Sequence, residues 1–190
     1  HLVAGWATAV TVVQINGAVS LNRRPTTAAN TAATIAQKAG GQVILLPSPA
    51  ILERLETKQA IESDRTVAGV IELAAGASAY LFSGGVADGT SALVESGYLS
   101  GTDVTELRRK GAIGDVVGRF IDANGNIVDP GLDERTMGLS LEQLRAAANA
   151  IFVVSGEAKH PVARAVVTSG LCTVIVTDEA TALALLEENA

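Results

Sequence analysis

The chain has 190 residues, 48% hydrophobic and only 3% aromatic, with a formal net charge of −6. That length suits one α/β domain with an aliphatic core, spanning residues 1–190, better than two half-sized ones. The negative balance excludes broad phosphate-backbone binding, which needs Lys and Arg to displace condensed cations.

A single cysteine, Cys172, excludes an internal disulfide and reads as a small buried hydrophobe before an apolar run. No apolar run approaches the roughly 20 residues of a membrane span, and no leader pattern opens the sequence. A soluble chain in the reducing cytoplasm, without membrane contact, is the expectation.

Short apolar runs alternate with amphipathic stretches, the pattern of β-α-β units and a mainly parallel sheet flanked by helices. Val10 to Ile15 reads as a strand, Thr26 to Lys38 as a helix stopped by Gly40 and Gly41, and Val43 to Leu46 as the next strand. Helices are predicted from Ala50 to Leu55 and from Arg65 to Ala75, then a strand at Tyr80 to Phe82. The segment Gly84 to Gly89 reads as a glycine-rich loop after that strand. Its spacing misses G-x-G-x-x-G, so it is either a flexible connection or a place where backbone amides approach a ligand.

Asp103 and Glu106 have the spacing of a capping box for a helix through Arg109. Ala112 to Ile121 reads as one extended stretch, turning at Asp122 to Asn126 and returning through Ile127 and Val128, an antiparallel hairpin inserted in a parallel fold. Ser140 and Gln143 form a second capping box, for a helix through about Ala148. Ile151 to Val154 and Val174 to Val176 are strands, with a helix opened by Pro161 between them and a final helix after Asp178 and Glu179.

Ligands of parallel α/β sheets bind at the carboxyl ends of the strands, which selects Gly84 to Gly89, Ser155 to Lys159, and Asp178 with Glu179. Lys159, after a glycine turn at the mouth of a helix, adds a point charge to amide donors and suits a phosphate; a solvated surface lysine is the other reading. Asp115 opens an apolar segment, where a carboxylate is costly unless backbone amides or a polyol satisfy it. Gly5, Trp6, Ala7 and Thr8 form a second Gly/Thr loop able to meet an anion. His160 reads as an exposed residue at the helix start. Metal-ligand spacing and a nucleophile elbow are both missing, so neither cofactor, metal nor catalytic residue is expected.

The run Gly111-Ala112-Ile113-Gly114-Asp115, followed by Phe120-Ile121-Asp122, Leu132-Asp133-Glu134-Arg135 and Gly138-Leu139, resembles the central block of SorC-type sugar-binding domains, of the DeoR/SorC-like transcriptional regulators. Ser155-Gly156-Glu157-Ala158-Lys159 and Val176 to Ala182 resemble that family's C-terminal signature, and Val13 to Gly17 its earlier strand. Two departures stand out: Ala9 runs straight into Val10 where the family has a helix and connection, and Ser155-Gly156 replaces two glycines.

The resemblance implies a fold like that of the glucosamine-phosphate and ribose-phosphate isomerases, used as a receptor for a sugar or sugar phosphate. It implies a homodimer or homotetramer, and operator DNA bound only through an N-terminal helix-turn-helix that this sequence lacks. Carried over residue by residue, Gly5 to Thr8 would be the anion-binding turn, Lys159 its basic partner and Asp115 a hydroxyl acceptor. Asn16, Gly17, Pro49, Gly84 and Gly85 would complete the pocket wall, with Gly156 beside the anion. The rival readings are a sugar-phosphate isomerase or lactonase-like enzyme on the same scaffold, and a pure oligomerisation module.

Overall fold

The computed structural model describes residues 10–17 and 28–187. Strand β1 (Thr11–Val13) pairs in parallel with β2 (Gln42–Ile44), joined through helix α1 (Ala28–Lys38), which buries Ala32 and Ala36. Gly40, at φ +61°, ends that helix as the glycine pair predicts.

The helix predicted from Ala50 to Leu55 does not form. Its backbone is committed elsewhere: Met137 N–H donates to the Ala50 carbonyl at 2.8 Å, Leu52 N–H donates to Arg135 at 3.0 Å, and Ile51 bridges Thr136. The chain turns helical only at α2 (Leu55–Ser63) and α3 (Arg65–Ala75), the second capped by the Asp64 carboxylate, which accepts from the Thr66 and Val67 amides.

Strand β3 (Tyr80–Phe82) follows, and then the glycine-rich segment that reads as a loop forms strand β4 (Gly84–Val86). Helices α4 (Ala92–Glu95) and α5 (Gly101–Arg109) come next. The capping box of α5 is Ser100 with Asp103, one step earlier than the Asp103–Glu106 pair; Glu106 instead binds Arg109 within the helix.

The stretch from Ala112 to Ile121 is two strands, β5 (Gly114–Val116) and β6 (Arg119–Ile121), folded about Val117 and Gly118. With β4 they make a three-stranded antiparallel sheet, so the insertion is larger than one hairpin. The turn at Asp122 does form, its carboxylate accepting from the Asn124 and Asn126 amides, and Ile121 bridges Ile127.

Helices α6 (Pro130–Glu134) and α7 (Leu141–Arg145) lead to β7 (Ala150–Val153); the Ser140–Gln143 box is present with both its bonds. A 3-10 turn (Glu157–Lys159), α8 (His160–Thr168), β8 (Val174–Val176) and α9 (Glu179–Glu187) complete the chain. Strands β3, β7 and β8 form a second parallel sheet. Phe82 and Phe152 meet on one face of it, centroids 5.3 Å apart, and α8 closes over them with Val162, Ala165 and Val166. Leu81, Val153, Val174 and Val176 face the other way and are exposed. Cys172 is half-buried against this core, which pushes its thiol pKa up.

What joins the sheets is the segment Asp133 to Leu139, and what holds that segment is one buried side chain. Arg119 of β6 donates to the carbonyls of Leu139 (2.9 Å), Asp133 (3.1 Å), Gly138 (3.1 Å) and Thr136 (3.3 Å), and pairs with the Asp133 carboxylate. The same segment bridges Asn16 through Gly138 and Ile51 through Thr136. Removing the guanidinium leaves buried carbonyls without donors, so Arg119→Ala should destabilise by about 3–5 kcal/mol. Urea denaturation reads this, and Arg119→Lys, with a point charge in place of a fork, should recover only part of it.

Candidate functional site

A two-residue turn puts a carboxylate inside the antiparallel sheet. Gly118 has φ +86° and Val117 φ +48°, two successive left-handed residues of the kind that a tight hairpin requires. Glycine adopts this freely, whereas β-branched Val117 is strained by about 1–3 kcal/mol. The turn brings the Gly118 N–H to Asp115 Oδ2 at 3.1 Å.

On the neighbouring strand Gly85 lies opposite Asp115, and a Cβ there would stand 2.0 Å from Asp115 Oδ1. The missing side chain is the space that the carboxylate occupies. Asp115 is only 9% exposed, and that burial pushes its carboxyl up to about 6, against the opposing pull of the Gly118 amide and the Lys159 charge. Among the described residues the Gly118 amide is its one hydrogen-bond donor, with the Lys159 charge nearby, so the carboxylate can still accept from an added hydroxyl.

Lys159 ends the 3-10 turn at the mouth of α8, half-buried. The helix is drawn onto the sheet by small residues: a Cβ at Gly84 would come 3.1 Å from the Val162 methyls, and one at Gly114 would come 2.7 Å from Val162 Cβ. This packing sets the 3-10 turn against β4 and carries the Lys159 charge to Asp115.

Gly156, at φ +93°, starts the 3-10 turn, but its N–H is already used, donating to Asp178 Oδ2 at 3.0 Å. Asp178 also accepts the Thr181 amide at 2.8 Å and the Thr181 hydroxyl at 3.1 Å, so it caps α9. With that hydroxyl given to Asp178, His160 Nε2, 3.2 Å from Thr181 Oγ1, must be the donor between them. His160 is therefore half-buried and engaged, not the exposed residue expected; Thr181, fully buried, is what draws it in.

Asn16, Gly17 and Pro49 form a second group. A Cβ on Gly17 would lie 2.1 Å from the Pro49 carbonyl oxygen, so the two segments touch through backbone. The link to the first group runs from the β5–β6 turn through Arg119 to Gly138, which bridges Asn16. Gly5, Trp6, Ala7 and Thr8 lie outside the described residues.

A cavity of about 10 Å³, room for one water, lies between Gln14, Ile71, Gly138 and Gln143, and a groove of about 110 Å³ runs past Asp103, Asp129 and Arg135. Asp115 and Lys159 line neither. Among the described residues no group of three His, Cys, Asp or Glu side chains could hold a metal ion. Sequence reasoning missed the Gly118 amide and Arg119; the one local signal for both was a glycine between two apolar runs in Val116-Val117-Gly118-Arg119.

A family model described as "Putative sugar-binding domain" matches residues 6–187. The deoxyribonucleoside regulator of Bacillus subtilis is 31% identical over 179 residues, covering 94% of this chain and 57% of that protein. The chain spans about half the length of the curated relatives it matches. Among solved structures, "a domain of a possible sugar-binding transcriptional regulator" from Arthrobacter aurescens superposes with TM-score 0.82 at 33% identity, over 93% of this chain and 68% of that one. The full-length sorbitol operon regulator SorC from Klebsiella pneumoniae gives TM-score 0.79 over 92% of this chain and 56% of that one; at 22% identity that likeness is one of fold.

The raised Asp115 carboxyl has a measurable cost. Folding raises its pKa above the ordinary 3.8, so the folded state holds the proton more tightly than the unfolded one. The resulting stability is complete below pH 4 and is lost as pH rises through about 6. Asp115→Asn, which cannot ionise and still accepts from Gly118, should therefore stabilise the unliganded protein by about 1–3 kcal/mol at pH 8 and little at pH 4. Urea midpoints at the two pH values decide it; an equal loss at both would make the carboxylate a structural requirement.

Proposed function

The chain belongs to the sugar-binding domain family of transcriptional regulators, and on that footing we propose that it is the sensing part of a longer regulator, a receptor for a phosphorylated sugar or related polyol. One observation carries the ligand class: a largely buried carboxylate at Asp115, with a single amide donor among the described residues, within electrostatic reach of the Lys159 cation. An ammonium suits a phosphate and a carboxylate suits hydroxyl donors, so one molecule bearing both groups fits the pair.

In this reading Lys159 meets the phosphate at the start of α8, Asp115 accepts a sugar hydroxyl, Gly85 leaves room for that carboxylate and Gly84 lets α8 approach with Lys159 at its mouth. Gly5, Trp6, Ala7 and Thr8 supply a further anion-binding turn, and Asn16, Gly17, Pro49 and Gly156 shape the wall. The architecture is that of the glucosamine-phosphate and ribose-phosphate isomerases, a reading supported by its parallel strands with an antiparallel insertion. The receptor works in the cytoplasm as a homodimer or homotetramer, and operator DNA is held by a part of the protein outside this chain. Because a ligand shifts an equilibrium only through differential affinity, the sugar binds one quaternary state better than the other.

The receptor reading includes no turnover. An isomerase-like enzyme is the competing reading, favoured by the Asp115 carboxyl at about 6, a value suited to proton transfer near neutrality. Glucose 6-phosphate, fructose 6-phosphate and ribose 5-phosphate should be tested first. At a hundredfold excess over Kd a bound sugar phosphate adds about 2.7 kcal/mol, or roughly 5–10 °C in Tm. Lys159→Ala should abolish the shift. No response from a wider panel by folded protein sinks the proposal, and conversion of the bound sugar, lost in Asp115→Asn, replaces it with the enzyme.

A further inference from the structure

Asp115 has an unusual electrostatic setting. Its carboxylate sits in the antiparallel sheet with Gly85 opposite on β4, Phe120 opposite on β6 and the Gly118 N–H as its hydrogen-bond donor. The flanking strands bring no charge to it: Gly84, Gly85 and Val86 have none, and Arg119 is consumed by the carbonyls of the Asp133 to Leu139 segment and the Asp133 carboxylate. From α8, His160 is held by Thr181 and Arg164 donates to the Ala184 carbonyl. Among the described residues Lys159 is the cation whose charge reaches the site, and Glu157, on the same 3-10 turn, is exposed.

A ligand hydroxyl donates to an ionised carboxylate, whereas a protonated carboxyl has turned one of its acceptor oxygens into a donor. We propose that ligand capture at this site is proton-linked, with the sugar binding the ionised form of Asp115 and releasing a proton as it enters from acid solution. The regulator then reads two inputs at one place, sugar and acidity, and acid opposes the sugar. This inference rests on the receptor reading above.

The burial that raises the carboxyl to about 6 centres the window on that pH. Binding is measured by calorimetry from pH 5 to pH 8 with whichever of glucose 6-phosphate, fructose 6-phosphate and ribose 5-phosphate binds most tightly. Because a phosphate monoester itself titrates near pH 6, the same sugar's sulfate ester, whose charge is constant over this range, is run beside it. The expected result for the sulfate ester is about tenfold weaker binding at pH 5 than at pH 8, with proton release seen as a dependence on buffer ionisation enthalpy. His160→Asn should keep that slope; a flat profile in this variant assigns the linkage to the imidazole and overturns the proposal.

Carboxyl carbon NMR of the wild-type protein gives a second, independent reading. Saturation with the sugar should move the Asp115 titration midpoint down by about two units, and an unmoved midpoint overturns the inference even where Asp115→Asn abolishes binding. Equal affinity at pH 5 and pH 8 overturns this inference alone. Absence of binding by any of these sugars at every pH overturns the receptor reading and this inference with it.

Discussion

One guanidinium organises the molecule. Arg119 projects from the short β6 strand and gathers four carbonyls and a carboxylate from the segment after α6. That segment makes no regular sheet of its own, yet the exit of β1 and the stretch around Ile51 both bond to it. Three small sheets of two, three and three strands have little pairing area of their own. Their mutual arrangement depends on this irregular strip, and the strip depends on five N–H donors that only arginine supplies in one rigid fork.

The candidate site obeys the opposite logic. Arg119 is buried and satisfied, whereas Asp115, four residues earlier, is buried and left short of partners. Val117 between them is held left-handed against its preference. Strain and a desolvated charge within one hairpin both lower stability. Such departures from local consistency gather where a protein binds or switches. Glycines at 84, 85 and 114 make the arrangement sterically possible, by admitting the carboxylate on one side and the α8 helix on the other.

Much of this was legible beforehand. Apolar runs at Tyr80, Ile151 and Val174 marked the parallel strands as short unbroken hydrophobic stretches, even though one face of that sheet is exposed, and Ser140 with Gln143 marked α7 because a capping box is purely local chemistry. The failures share a cause. Ala50 to Leu55 looked helical, but its carbonyl and amide groups serve partners more than 80 positions away. Gly84 to Val86 looked like a loop, since glycine lowers strand propensity, and only the folded neighbours, Val162 and Phe152 against Gly84 and Asp115 against Gly85, explain why those two positions tolerate no side chain. Of the site, Lys159 and Asp115 could be picked from their local setting; Gly118 and Arg119 could not, because both act through contacts that exist only after the hairpin closes.

The two-residue turn at Val117 and Gly118 does more than reverse the chain. Antiparallel pairing places Asp115 with Gly85 and Phe120 on one face, and Arg119 with Val116 on the other. Side chains alternate, so the parity of the turn decides which face each residue takes. Insertion or deletion of a single codon there would shift the parity of one strand against the other, so a sheet that keeps Asp115 opposite Gly85 would turn the Arg119 guanidinium away from its carbonyls. Scaffold and sensor are thus written in one reading frame: point changes can retune either separately, but a length change in this turn keeps one only by giving up the other.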